Sequence, residues 1–138
     1  AEELFRALTR VPTYSTPGHA YNNLGWALFN QGRVTESLEQ FELAIEFQPE
    51  LCLAYNNRGM AEETLGSVRS ALESFGSAIR ECPNYAEPRY RRGVLRWQLE
   101  RYDDALEDFD ACYEEAPQSD VGRRCLEYLR ANGMVEDL

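Results

Sequence analysis

Apolar residues along this chain recur at helical spacing in paired runs, each pair divided by a short polar or glycine-containing turn such as Asn30-Gln31-Gly32 or Leu65-Gly66-Ser67. That pattern predicts helical hairpins. Sliding the sequence against itself by 34 residues superposes Gly25, Gly59 and Gly93, then Leu38, Leu72 and Leu106, then Glu39, Glu73 and Glu107. Phe41, Phe75 and Phe109 align in the same register, as do Pro49, Pro83 and Pro117. Looser columns keep size or burial: Ala44 and Ala78 align with Cys112, and Ile45 and Ile79 with Tyr113. The repeated Gly and the small residue at the Ala44 column let helices cross closely, and the repeated Phe fills the space between them. The repeated Pro ends each second helix because it lacks an N–H and restricts the residue before it. The register therefore predicts an all-α chain with three hairpin units at 18–51, 52–85 and 86–119.

The flanks extend the pattern. Phe5 and Leu8 stand at the spacing of the repeated Phe and Ala, so residues 1–17 are expected to hold the second helix of a preceding repeat and a proline-containing connector. Residues 120–138 are expected to form a capping helix and tail. Asp120 would cap that helix, Val121, Cys125, Tyr128 and Leu129 share its apolar face, and Gly133 marks its end.

The columns resemble the tetratricopeptide repeat (TPR) family, whose unit carries an aromatic early in the first helix, then Leu-Gly, then Ala, Phe, Ala and Pro through the second. Departures are Ser37 for Ala, Arg58 and Arg92 for Leu, and Arg89 for the aromatic. The resemblance implies a TPR superhelix, an α-solenoid of helical hairpins, in which the first helices line a concave groove. It places Asn22, Asn23, Trp26 and Phe29 in that groove, then Asn56, Asn57 and Met60, then Tyr90, Arg91 and Trp97. Carboxamides both donate and accept, so paired asparagines suit the backbone of an extended peptide, and the aromatics offer anchors. The alternative is that the asparagines are ordinary repeat composition and the tryptophans pack internally. One TPR subclass grips the carboxylate tail of chaperone peptides with Lys, Asn, Asn, Lys and Arg. Those positions hold Asn22, Trp26, Asn57, Glu87 and Arg91, so with both lysines missing a chaperone-tail receptor is not expected.

Charge narrows the partners. Against 24 Asp+Glu stand 14 basic residues, every one an Arg, for a formal charge of −10. Such a balance disfavours nucleic acid and anionic lipid. The third unit concentrates charge: Arg89, Arg91, Arg92 and Arg96 face a second helix with Asp103, Asp104, Glu107, Asp108, Asp110, Glu114 and Glu115. That acidic run reads as a solvated outer face, with a minority reading in which the arginines grip an acidic ligand. The single His, His19, and the absence of metal-ligand spacing lead us to expect no metal, no cofactor and no enzymatic activity.

Four cysteines allow three pairings. Cys52 opens the first helix of a hairpin whose second helix Cys82 closes, and Cys112 faces the capping helix that carries Cys125. The expected disulfides are thus Cys52–Cys82 and Cys112–Cys125, which favour an oxidising compartment, with free buried thiols as the alternative.

A second resemblance bears on function. Pro12-Thr13-Tyr14-Ser15-Thr16-Pro17 leading into Tyr21-Asn22-Asn23-Leu24-Gly25-Trp26, and the stretch 112–129, are similar to the Tgl/PilF-type pilotins, the secretin-assembly lipoproteins of bacterial type IV pili. This implies a periplasmic, outer-membrane-associated protein that binds a protein or peptide segment, with an outer-membrane secretin as partner. Membrane contact would come only through a lipid anchor upstream of this chain. The alternatives are a cytoplasmic TPR adaptor or co-chaperone, and the substrate-presenting repeat region of a larger enzyme.

Overall fold

A computed structural model describes residues 17–134, and among them there are seven helices and no strand. They are α1 (Pro17–Asn30), α2 (Val34–Phe47), α3 (Cys52–Thr64), α4 (Val68–Glu81), α5 (Glu87–Gln98), α6 (Tyr102–Glu115) and α7 (Asp120–Ala131). The helix expected around Phe5 and Leu8 lies outside the described residues. None of the described helices is long and apolar enough to cross a membrane. The chain divides into two compact units, the first ending at Glu81 and the second beginning at Cys82.

In the first unit α1 packs on α2, α3 on α4, and α2 on α3. The glycine column explains why each hairpin closes so tightly. A Cβ on Gly25 would lie 2.6 Å from the Phe41 ring, and one on Gly59 would lie 2.6 Å from the Phe75 ring. Both phenylalanines are fully buried, so each ring occupies the space that the missing side chain leaves. The turns use glycine differently: Gly32 and Gly66 adopt φ of 81° and 83°, a left-handed conformation that costs glycine nothing.

Three matched positions line the hairpin interior, and the two hairpins of this unit fill them differently. Leu24, Leu28 and Gln40 are all buried in the first hairpin. In the second, Arg58 Nε donates to Ser74 Oγ at 2.8 Å, and Ser74 Oγ donates to Glu62 Oε1 at 2.5 Å. Arg58 therefore departs from the family's Leu because a hydroxyl on the facing helix receives it. The Glu62 carboxyl is held above its usual range, chiefly by burial, with Glu42 and Glu73 adding to the rise and the Ser74 hydrogen bond and Arg58 opposing it.

In the second unit α5 packs on α6 and α6 on α7, with α7 also reaching α5. Gly93 lies under Phe109 as in the earlier hairpins, a Cβ there falling 2.7 Å from the ring. The hairpin turn departs from that pattern: Glu100 occupies the register of Gly32 and Gly66 at φ 63°. Arg92 clasps Asp108 through two bonds of 3.0 and 2.7 Å, and Arg96 adds a third at 2.9 Å. Asp108, only 3% exposed, thus leaves the acidic run that otherwise faces solvent, where Asp103, Glu107, Asp110, Glu114 and Glu115 remain.

The end of the unit is stapled. Cys112 and Cys125, both fully buried, form a disulfide with Cα atoms 6.2 Å apart, which joins α6 to α7. Cys52 and Cys82 are likewise disulfide-bonded, and none of the four cysteines is free. One local expectation needs correction. Ser119, not Asp120, caps α7, its Oγ accepting from the Gly122 amide at 3.0 Å; Asp120 lies inside the first turn and pairs with Arg123. The cap needs a side chain in extended backbone just before the helix, and that residue is Ser119.

Candidate functional site

The first helices carry the residues singled out above, and α1 and α3 touch within the first unit. Asn57 Nδ2 donates to Asn22 Oδ1 at 3.0 Å, a carboxamide bridge from one repeat to the next. Asn22 and Asn56 are buried, Asn57 and Met60 half-buried, and Asn23 exposed. Asn56 Nδ2 makes a long contact of 3.9 Å to Met60 Sδ, and its Oδ1 is a buried acceptor with no partner. Trp26 is 42% exposed and lies nearly parallel to Phe29, with ring centres 5.8 Å apart. The first unit thus offers a neutral face of carboxamides beside an open aromatic stack. Arg58 does not join it, being turned to Ser74 and stacked on Tyr55.

The second unit treats its candidates differently. Arg91 Nε is bonded to Glu87 at 2.9 Å, so this cation is neutralised on its own helix. Trp97 meets Tyr102 and Tyr128 edge-on at 4.6 and 5.7 Å, which places its ring in the packing between hairpin turn and cap. Tyr90 leans on Phe109, and Tyr128 stacks on Phe109 with ring centres 4.2 Å apart and planes 9° from parallel. Burial, with Tyr90 nearby, pushes the Tyr128 phenol up, so it stays a protonated donor at neutral pH.

The apolar pattern of α7 predicts only a cap. The structure puts Tyr128 and Arg124 beside Tyr90 around a shallow hollow of about 450 Å³, with Glu127 and Ala131 completing its lining. The signal was present in the repeat register: Asn22, Asn56, Tyr90 and Arg124 fall 34 residues apart, as do Trp26, Met60, Val94 and Tyr128. The described residues hold no group of His, Cys, Asp and Glu able to bind a metal.

Two family models described as tetratricopeptide repeat match the sequence, one over residues 18–51 and one over 56–120. The chain belongs to the tetratricopeptide repeat family. Its TPR fold is shared with a tetratricopeptide repeat protein from Parabacteroides merdae at 29% identity and TM-score 0.79, over 96% of this chain and 53% of that one. The chain therefore spans about half the length of that relative. The TPR2B domain of yeast Sti1, solved in complex with pHsp70, matches at 21% identity and TM-score 0.77 over 86% of this chain and 98% of that one. The TPR domain of Arabidopsis OM64 matches at 22% and 0.75, over 83% and 95%. The last two likenesses concern the fold alone. No curated protein matches the chain.

Proposed function

We propose that this TPR chain is a non-enzymatic scaffold that holds an extended or amphipathic segment of a partner protein on the face built by α1 and α3 of its first unit. The observation that carries the reading is the open Trp26–Phe29 stack beside the Asn22–Asn57 carboxamide bridge, an apolar anchor next to groups that match a peptide backbone. Its mechanism is non-covalent: binding one conformation of the partner raises that conformation's population. The finer assignment is assembly of a cell-envelope complex, with the type IV pilus secretin as partner in the periplasm. Two things support it: the pilotin resemblance of the sequence and the oxidised state of all four cysteines.

A co-chaperone of the carboxylate-gripping kind fits less well. Of the clamp positions only Asn57 and Arg91 carry the right residue, both lysines are missing, and Arg91 is already bonded to Glu87. A cytoplasmic adaptor of another kind would carry reduced thiols in material from native cells, which alkylation mapping detects.

The test takes a partner captured from the parent cells and measures its affinity for Trp26→Ala, Asn57→Ala and Glu39→Ala, with folding checked by circular dichroism. Loss of about 2 kcal/mol is expected for a groove anchor and under about 0.5 for Glu39 on the second helix. Equal affinities would move the surface elsewhere. For the envelope role, deletion of the protein should deplete secretin multimers; unchanged multimers would remove the secretin as partner.

A further inference from the structure

The arginines of α5 look in sequence like a site for an acidic ligand, and the structure spends them otherwise. Arg92 and Arg96 clasp the buried Asp108, and Arg91 pairs with Glu87. Arg89 reaches the Pro83 carbonyl at 3.4 Å. On α7, Arg123 pairs with Asp120. Arg124 is exposed, and among the described residues no carboxylate approaches it within ion-pair distance, although Glu127 stands one turn away. It borders the hollow whose walls are Tyr90 and Tyr128, and its place in the repeat register is that of Asn22, Asn56 and Tyr90.

We infer that the cap helix is itself a binding element: Arg124, which lines one hollow with Tyr90 and Tyr128, receives a single carboxylate side chain of a partner polypeptide whose neighbouring apolar residue lies against those rings. A guanidinium matches a carboxylate through two parallel N–H donors, and Arg124 is bonded to no acid of its own chain among the described residues. Glu127 limits the charge that enters, since a second partner acid would meet a like charge at the rim. The preferred sequence is therefore one acid beside an aromatic or aliphatic residue, not an acidic run. This inference rests on the reading of the chain as a peptide-binding scaffold and adds a socket that lies wholly within the second unit.

The test selects peptides from a random library displayed on phage against the intact chain. Affinities of the selected peptides are then measured for the wild type, Arg124→Gln, Arg124→Lys, Glu127→Gln and Trp26→Ala. Selected peptides should carry one Asp or Glu beside an apolar residue. They should bind Arg124→Gln roughly tenfold more weakly or worse, the cost of a lost charged hydrogen bond, and Arg124→Lys with an intermediate loss. Glu127→Gln should tighten them and relax the preference against a second acid. Peptides without an acid, or equal affinity for the wild type and Arg124→Gln, would overturn the socket; if Trp26→Ala still weakened them, the groove reading would survive, and if it did not, both would fall. Self-association of the chain that disappears in Arg124→Gln would make a second copy the occupant and overturn the assignment to a separate partner.

Discussion

The second and third hairpins share their glycine, phenylalanine and proline columns, yet they solve the same interior problem with opposite chemistry. At three matched positions the second holds Arg58, Glu62 and Ser74, and the third holds Arg92, Arg96 and Asp108. In the second, the acid lies on the first helix, half-buried, and a hydroxyl relays between it and the arginine. In the third, the acid has moved to the second helix, deep in the interior, and two arginines hold it. Each set closes only with its own partners: a carboxylate facing Glu62, or a hydroxyl facing two arginines, would leave charge unpaired. The lesson is that a repeat keeps its fold through small and aromatic residues that fix helix spacing, while the polar positions are free to change together.

The sharpest way to break this comparison is to remove the acid. Asp108→Asn strands two arginines that are only 20% and 21% exposed, and the cost of breaking such a buried pair is about 3 kcal/mol. Ser74→Ala, at the matched position, removes a neutral relay and should cost about 1 kcal/mol. Urea denaturation of both variants decides it; equal losses would mean that the third hairpin gains nothing distinctive from its ion cluster.

Next in size is the staple that only the third hairpin makes to the cap. Replacing Cys112 and Cys125 by alanine opens a link with a sequence separation of 13 residues. The expected loss is about 3 kcal/mol on the chain-entropy model, plus the effect of the small cavity left behind. A double variant with unchanged melting temperature would show that core packing alone holds α7.

A smaller effect of opposite sign distinguishes the two turns. Glu100 takes the left-handed conformation that Gly66 takes in the second hairpin. A residue with a Cβ is strained there, so Glu100→Gly should stabilise by about 1 kcal/mol, less the entropy glycine adds to the unfolded chain. Gly66→Glu should lose a similar amount. A Glu100→Gly variant less stable than the parent would mean that the side chain contributes more than the strain costs.

The smallest expected change concerns Glu62. Burial raises its folded-state carboxyl above the usual value of 4.5, so the folded chain binds this proton more tightly than the unfolded chain does. That contribution is fully present below 4.5 and is lost as pH rises through the folded value. Glu62→Gln should therefore match or slightly exceed the parent in melting temperature at pH 7, with the difference shrinking on acidification. Asp108 provides the contrast, since its replacement destabilises at pH 7. A Glu62→Gln variant that loses stability at pH 7 would show that the ionised carboxylate is needed to hold Ser74 and Arg58.

The candidate face was only partly legible. Trp26 and Trp97 occupy comparable first-helix faces in the sequence, yet one is open and the other meets Tyr102 and Tyr128. Register assigns each side chain an angle around its helix, but whether solvent or a ring lies in that direction depends on the neighbouring element. The same holds for Arg91, which the register puts on a first helix while its charge is consumed by Glu87 four residues earlier. Arg124 carries no signal of its own in a helix whose pattern is set by its apolar face.

The sequence by itself determined the helical hairpins, their period and the glycine–phenylalanine contacts, because these depend on short-range spacing and on side-chain size repeated in register. It also carried the Cys112–Cys125 disulfide, which follows from matching apolar faces on neighbouring helices. Only tertiary structure decided which charges are buried and which remain available to a partner. Asp108 meets its arginines across separations of 16 and 12 residues. The free energy of a buried ion is set by what surrounds it, not by its residue type, so Asp108 is held in the interior while Arg124 stays exposed without an acid partner.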